Sequence, residues 1–153
     1  MADASSSGPI LIAYDGSDCS KAAVAEAGRQ LRDDRRAIVL TVWEPLDAVP
    51  FWGVPMATMP SEMTEQVVAR ANEVAEEGVA LSGRAGFDAE TRVELGAPVW
   101  ARIVETAEEI GASVIVLGSH GRSSVGYAVM GSVATAVAHH AKIPVLITRE
   151  SGD

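Results

Sequence analysis

The sequence predicts a single-domain α/β fold, a doubly wound parallel sheet with helices on both faces, and three observations point to it. Short β-branched runs of strand length alternate with longer segments whose apolar residues recur at helical spacing. Several of the short runs are apolar on both faces, as strands buried in a parallel sheet are. The 153 residues suit one domain, and a composition 48% apolar and 22% charged suits a folded globular chain.

Residues 1–8 are small and polar, lack the basic segment and apolar run of a secretory signal, and read as a disordered tail before a domain over 9–150. Pro9–Tyr14 is the first strand. Ser17–Arg32 is the first helix, with Ala22, Ala25, Ala27 and Leu31 as its apolar positions and Asp15, Ser17 and Asp18 as candidate caps. Ala37–Trp43 is the second strand. Glu44–Pro60 follows, with four prolines (Pro45, Pro50, Pro55, Pro60) beside Phe51, Trp52, Met56 and Met59. It cannot be regular helix or sheet, and it reads equally as a lid or partner surface and as a loop folded onto its own aromatic residues.

Ser61–Ser82 is the longest helix, with Met63, Val67, Ala71, Val74, Gly78 and Leu81 on one stripe and Glu62 and Glu65 near its positive end. Ala89–Glu94 is the third strand. The third helix starts at about Pro98, runs through Ile103, Ala107 and Ile110, and stops at Gly111. Ser113–Leu117 is the fourth strand and Ser132–His140 the fourth helix. Pro144 bars its continuation and opens the last strand, Val145–Thr148. Right-handed crossovers then give a five-stranded parallel sheet covered on both faces, a Rossmann-like arrangement, and the strand order expected is 3-2-1-4-5. Such sheets bind ligands outside the carboxyl ends of the strands, where the strand order reverses.

A formal charge of −9 argues against a nucleic-acid or anionic-membrane surface, so any bound phosphate must be held locally by backbone N–H groups and helix ends. Cys19 is the only cysteine; it allows no internal disulfide, fits a cytoplasmic setting and reads as an inert bystander. No stretch approaches the roughly 20 apolar residues that span a bilayer.

After the fourth strand the chain reads Gly118-Ser119-His120-Gly121-Arg122, then Gly131-Ser132-Val133 at the start of a helix. Glycines permit positive φ and close backbone approach, and a helix start presents N–H groups to phosphate. Ser132 could cap its own helix or donate to a phosphate oxygen. On spacing alone the loop is as good a plain turn as a phosphate cradle. Context favours the cradle, because Asp15 and Val42-Trp43 end two other strands on the same edge.

These residues resemble the universal stress protein family from Ile10 to Arg149. The family signature is Gly, two residues, Gly, nine residues, Gly and then Ser or Thr, and Gly118, Gly121, Gly131 and Ser132 fit it without a gap. Ala13-Tyr14-Asp15-Gly16-Ser17, Thr41-Val42, Gly96-Ala97-Pro98 and Ile143–Ile147 are similar to other parts of its pattern. The resemblance implies an ATP-binding member that acts as a nucleotide-dependent switch in stress response. Adenine would lie near Ala13, Tyr14, Asp15 and Val42, and ribose near Leu117 and Gly118. The phosphates would lie along His120 and Gly121 and against Gly131, Ser132 and Val133, with Ser119 also in the nucleotide site and Arg122 reaching either a phosphate or solvent. Magnesium would come with the phosphates, AMP or cyclic AMP would also suit the loop, and a homodimer would form through Val145–Thr148. Tyr14 and Trp43 add bulk that would tighten the adenine pocket.

Catalysis has little support in the sequence: no Walker lysine, no kinase catalytic loop, and a lone His120 without a visible partner to orient it. A slow ATPase or phosphotransferase, or an interaction module with a vestigial site, are the alternatives. His139 and His140 end a helix, where partial negative charge favours a cation, and form no ligand set.

Overall fold

A computed structural model describes residues 8–31, 34–44, 61–121 and 130–149 of the chain. The β-branched runs become strands β1 (Ile10–Ala13), β2 (Arg36–Trp43), β3 (Asp88–Leu95), β4 (Val114–Gly118) and β5 (Val145–Thr148). Between them lie helices α1 (Asp18–Gln30), α2 (Ser61–Arg84), α3 (Val99–Glu109) and α4 (Ser132–His140). All strand pairs are parallel, in the order β3-β2-β1-β4-β5, so the predicted class and strand order hold. The tail before Gly8, the proline-rich residues 45–60 and Arg122 with the rest of 122–129 lie outside the described residues.

Alternation along the strands divides the core in two. Ile10, Ile12, Tyr14, Val39 and Val116 pack with Ala23, Val24 and Ala27 of α1 and Val74 of α2. On the other face Leu11, Leu40, Ile115 and Leu117 meet Ile103 and Ala107 of α3 and Ala134 and Val137 of α4. Burying these side chains stabilises the fold by about 1.5–3 kcal/mol for each large aliphatic residue. Among the described residues no helix is long and apolar enough to cross a membrane.

Several local expectations need correction. Of the three candidate caps for α1, Ser17 takes the role, its side chain accepting from the Ser20 N–H. The helix then ends at Gln30 and buries Cys19, Ser20, Ala23, Val24 and Ala27, while Ala25 is exposed. Alanines lie all around this helix, so they do not fix its phase. On α2 the buried stripe is Ala71, Val74, Ala75, Gly78 and Ser82, whereas Met63 is 46% exposed. Pro98 caps α3 from just outside, and Gly111, at φ 62°, follows it in the left-handed conformation expected of a helix-stopping glycine.

Candidate functional site

The site begins as a notch in the sheet edge. Parallel pairing between β2 and β3 continues to Trp43↔Leu95, but between β1 and β2 it stops at Ala13↔Leu40. Val42 therefore projects beyond the end of β1, half-buried against the α3/α4 face. The chain leaving β1 is held at that point by two bonds: Tyr14 N–H donates to Leu40 O at 2.9 Å, and Thr41 Oγ1 donates to Tyr14 O at 2.9 Å. The side chains of Tyr14 and Asp15 then part company. The Tyr14 ring is 2% exposed and belongs to the α1/α2 core, so its bulk fills the opposite face from Ala13. Asp15 Oδ1 accepts from the Ser17 N–H at 2.9 Å, a local turn made with Gly16 at φ 79°.

The loop after β4 meets this strand end. A Cβ added to Gly121 would lie 2.9 Å from Asp15 Oδ2, so the carboxylate and the loop backbone are in contact. A Cβ on Gly118 would lie 2.9 Å from the Cys19 backbone and from its Sγ, and one on Gly131 would lie 2.9 Å from Ser119 O. The signature glycines are thus required by close approach. None has the positive φ that the sequence also allowed.

Three further findings bear on the phosphate end. Gly131 N–H donates to Ser119 O at 2.7 Å, which joins the two arms of the loop and engages the first of the three amides expected to face phosphate. Gly131, and not Ser132, caps α4, leaving Ser132 as the exposed first helical residue. The first bond within the helix is Thr135 N–H to Gly131 O, so the Ser132, Val133 and Ala134 amides lie ahead of it at the positive end. His120 does have a partner: its Nδ1 lies 3.0 Å from Ser119 Oγ. Sequence could not show this, because adjacent residues on a strand usually point apart and here the strand has ended.

Cys19, Thr148 and Glu77 were not foreseen. Cys19 is buried beneath the loop, its Sγ 3.6 Å from Ser119 Oγ and 3.7 Å from Thr148 O, and Thr148 O also accepts from Ser119 N–H at 2.8 Å. The available signal was position: two residues after the cap, on the face of α1 that meets the sheet. Glu77 accepts from the Tyr14 hydroxyl, which holds its carboxyl below the usual range, and Lys21 Nζ lies 3.5 Å away. His140 stacks on Trp100 with centroids 4.3 Å apart, a structural use of the helix-ending histidine.

Among the described residues no group of three or more His, Cys, Asp or Glu side chains could hold a metal ion. An open depression of about 330 Å³ lined by Leu95, Gly96, Pro98, Ala101, Arg102 and Glu105 lies farther along the same edge and contains none of the predicted site residues. What the notch offers is the Asp15 carboxylate set against the loop, with the start of α4 beside it for an anion.

Comparison with known proteins bears on the family and the fold. Residues 7–149 match the Universal stress protein family. A universal stress protein of Thermus aquaticus is 36% identical over 142 residues, covering 92% of this chain and 97% of that protein. A Mycobacterium tuberculosis universal stress protein is 33% identical, but the chain spans only 46% of its length, about half of that relative. Among solved structures, UspA from Lactobacillus plantarum superposes with a TM-score of 0.74 at 23% identity over 94% of this chain and 98% of that one. A universal stress protein in complex with cAMP superposes with a TM-score of 0.57 at 28% identity, covering 94% and 98%. By sequence, strand order and signature loop, the chain belongs to the universal stress protein family.

Proposed function

We propose that the chain binds an adenine nucleotide at the notch, with ATP as the principal ligand, and that occupancy switches the surface it offers to a partner in stress response. The observation that carries this reading is the meeting of Asp15 Oδ2 with Gly121, which brings the two halves of the sequence-predicted site together. The three close glycine contacts, with Cys19, Asp15 and Ser119, hold the loop backbone against the strand ends and the start of α4, which is where a backbone-lined phosphate site would have to lie. A related structure that holds cAMP supports the ligand class.

In this reading adenine lies against Ala13, Asp15 and the Val42 backbone, and ribose against Leu117 and Gly118. The phosphates run past Ser119, His120, Gly121 and Arg122 to the Ser132 and Val133 amides beside Gly131. Magnesium is carried by the phosphate oxygens, since no cluster of carboxylates among the described residues offers it a donor set. ATP can act as a switch only by binding one conformation more tightly than another. AMP or cyclic AMP would use the same adenine end with fewer phosphate contacts. A homodimer through β5 belongs to the same reading.

The test is to denature purified protein, identify any released small molecule by mass spectrometry, and titrate ATP, AMP and cyclic AMP calorimetrically into the emptied protein. Binding of one or more of them, lost in a folded Gly131→Val variant, is the expected result. A folded protein that binds none would leave an interaction module. Hydrolysis is the second reading, favoured by the Ser119 hydroxyl that orients His120; it requires turnover with ATP and magnesium that disappears in Gly131→Val.

A further inference from the structure

Tyr14 and Asp15 are consecutive: the first packs into the α1/α2 core and the second, past the end of β1, meets the loop at Gly121. Tyr14 is 2% exposed and closely packed: a Cβ added to Gly78 of α2 would lie 2.8 Å from its ring and 2.7 Å from Val39 Cγ1. A phenylalanine would fill that space equally well, so packing alone does not call for the hydroxyl. The hydroxyl crosses to α2 and donates to Glu77, whose other neighbour is Lys21 of α1 at 3.5 Å. One carboxylate thus gathers α1, α2 and the end of β1.

The Glu77 side chain is 50% exposed. Water can solvate it when its partner is removed, so loss of the bond leaves no buried unpaired charge and does not by itself unfold the domain. Its effect is geometric. Beyond Ala13 the chain has left the β1 ladder, and Tyr14 is its last buried anchor before Asp15.

We infer that Glu77 is a positioning residue for the nucleotide site, holding Asp15 in register with Gly121 through the Tyr14 hydroxyl. This rests on the nucleotide reading for its ligand, but it assigns a role to a residue of α2 that touches no part of the notch. It also ties the helix that follows the proline-rich segment to the adenine end of the site.

The experiment uses the full chain and two readouts. Calorimetry with ATP and magnesium is run on wild type, Tyr14→Phe, Glu77→Ala, Glu77→Gln, Asp15→Asn and the double variant Asp15→Asn/Glu77→Ala. Tyr14→Phe and Glu77→Ala are expected to weaken ATP about tenfold, while Glu77→Gln, which keeps an acceptor for the hydroxyl, stays within about threefold of wild type. If Glu77 acts through Asp15, the double variant binds no more weakly than Asp15→Asn alone. A merely structural role predicts that the two losses multiply, and that result overturns the proposal.

The second readout needs no nucleotide. Hydrogen exchange at the Ser17 amide, which donates to Asp15 Oδ1, is expected to quicken in Tyr14→Phe and Glu77→Ala while amides of Ile12 and Val116 keep their protection. Unchanged Ser17 exchange in both variants overturns the proposal whatever the ATP result. Wild type that binds no ATP refutes the nucleotide reading, and exchange at Ser17 then decides alone whether Glu77 holds Asp15.

Discussion

The glycines of the loop do different work although the sequence spaces them as one signature. Gly118 is pressed by backbone, the Cys19 carbonyl, and helix α1 cannot retreat without disturbing its packing on β4. Gly118→Ala should therefore cost about 1–3 kcal/mol of stability, read as a lower urea midpoint, with nucleotide affinity falling as a consequence. Among the described residues Gly121 is pressed by the tip of a side chain, Asp15 Oδ2, which can swing aside. Gly121→Ala should leave the urea midpoint nearly unchanged yet weaken ATP in calorimetry, because the carboxylate loses its place. The signature was legible through the family resemblance, whereas on spacing alone the loop reads equally as a plain turn. The reason for each glycine was not, since close approach depends on atoms from Cys19, Asp15 and Ser119 that only the fold brings near.

At the scale of elements, sequence signals were strong where chemistry is local and weak where it is tertiary. Pro144 and Gly111 ended helices where expected, and Ser132–His140 matched to the residue. The phase of α1 was not legible in a run of alanines, nor was the exposure of Met63 in the first turn of α2. Ser17 shows a local signal whose energy can be tested: Ser17→Ala removes the acceptor 3.2 Å from the Ser20 N–H and should cost about 1 kcal/mol by urea denaturation. Acid should loosen contacts between elements. Glu94 of β3 is held below the ordinary carboxyl value of 4.5 by Arg92 first and by Arg102 of α3, and Glu77 of α2 by the Tyr14 hydroxyl first and then by Lys21. The unfolded chain then binds more protons than the folded one below about 4.5, so stability is present above that pH and lost as pH falls through the lower folded values. Urea midpoints measured downward from pH 6 should decline over that window, and the decline should shrink in Glu94→Gln.

For the whole molecule, the sheet has two open edges of opposite character. β3 carries Asp88, Glu90, Arg92 and Glu94, with ion pairs Arg36–Glu90 and Arg92–Glu94 along it, and such charges block strand addition. β5 is Val-Leu-Ile-Thr with no charge. Its inward bonds fall at Pro144 O, taken by Ile115, and Thr148 O, taken by Ser119; parallel geometry then turns the N–H and C=O of Ile147 outward. A second copy should add at β5, with the net charge of −9 opposing it, so association should strengthen with salt as repulsion is screened. Ile147→Pro removes an outward N–H without touching a ladder bond to β4. Sedimentation equilibrium at about 0.15 M salt should find wild type dimeric and Ile147→Pro monomeric, both with the same circular dichroism spectrum. A dimer that survives Ile147→Pro would place the interface elsewhere, and β3 would then be the poorer of the remaining choices because each added strand would bury its carboxylates.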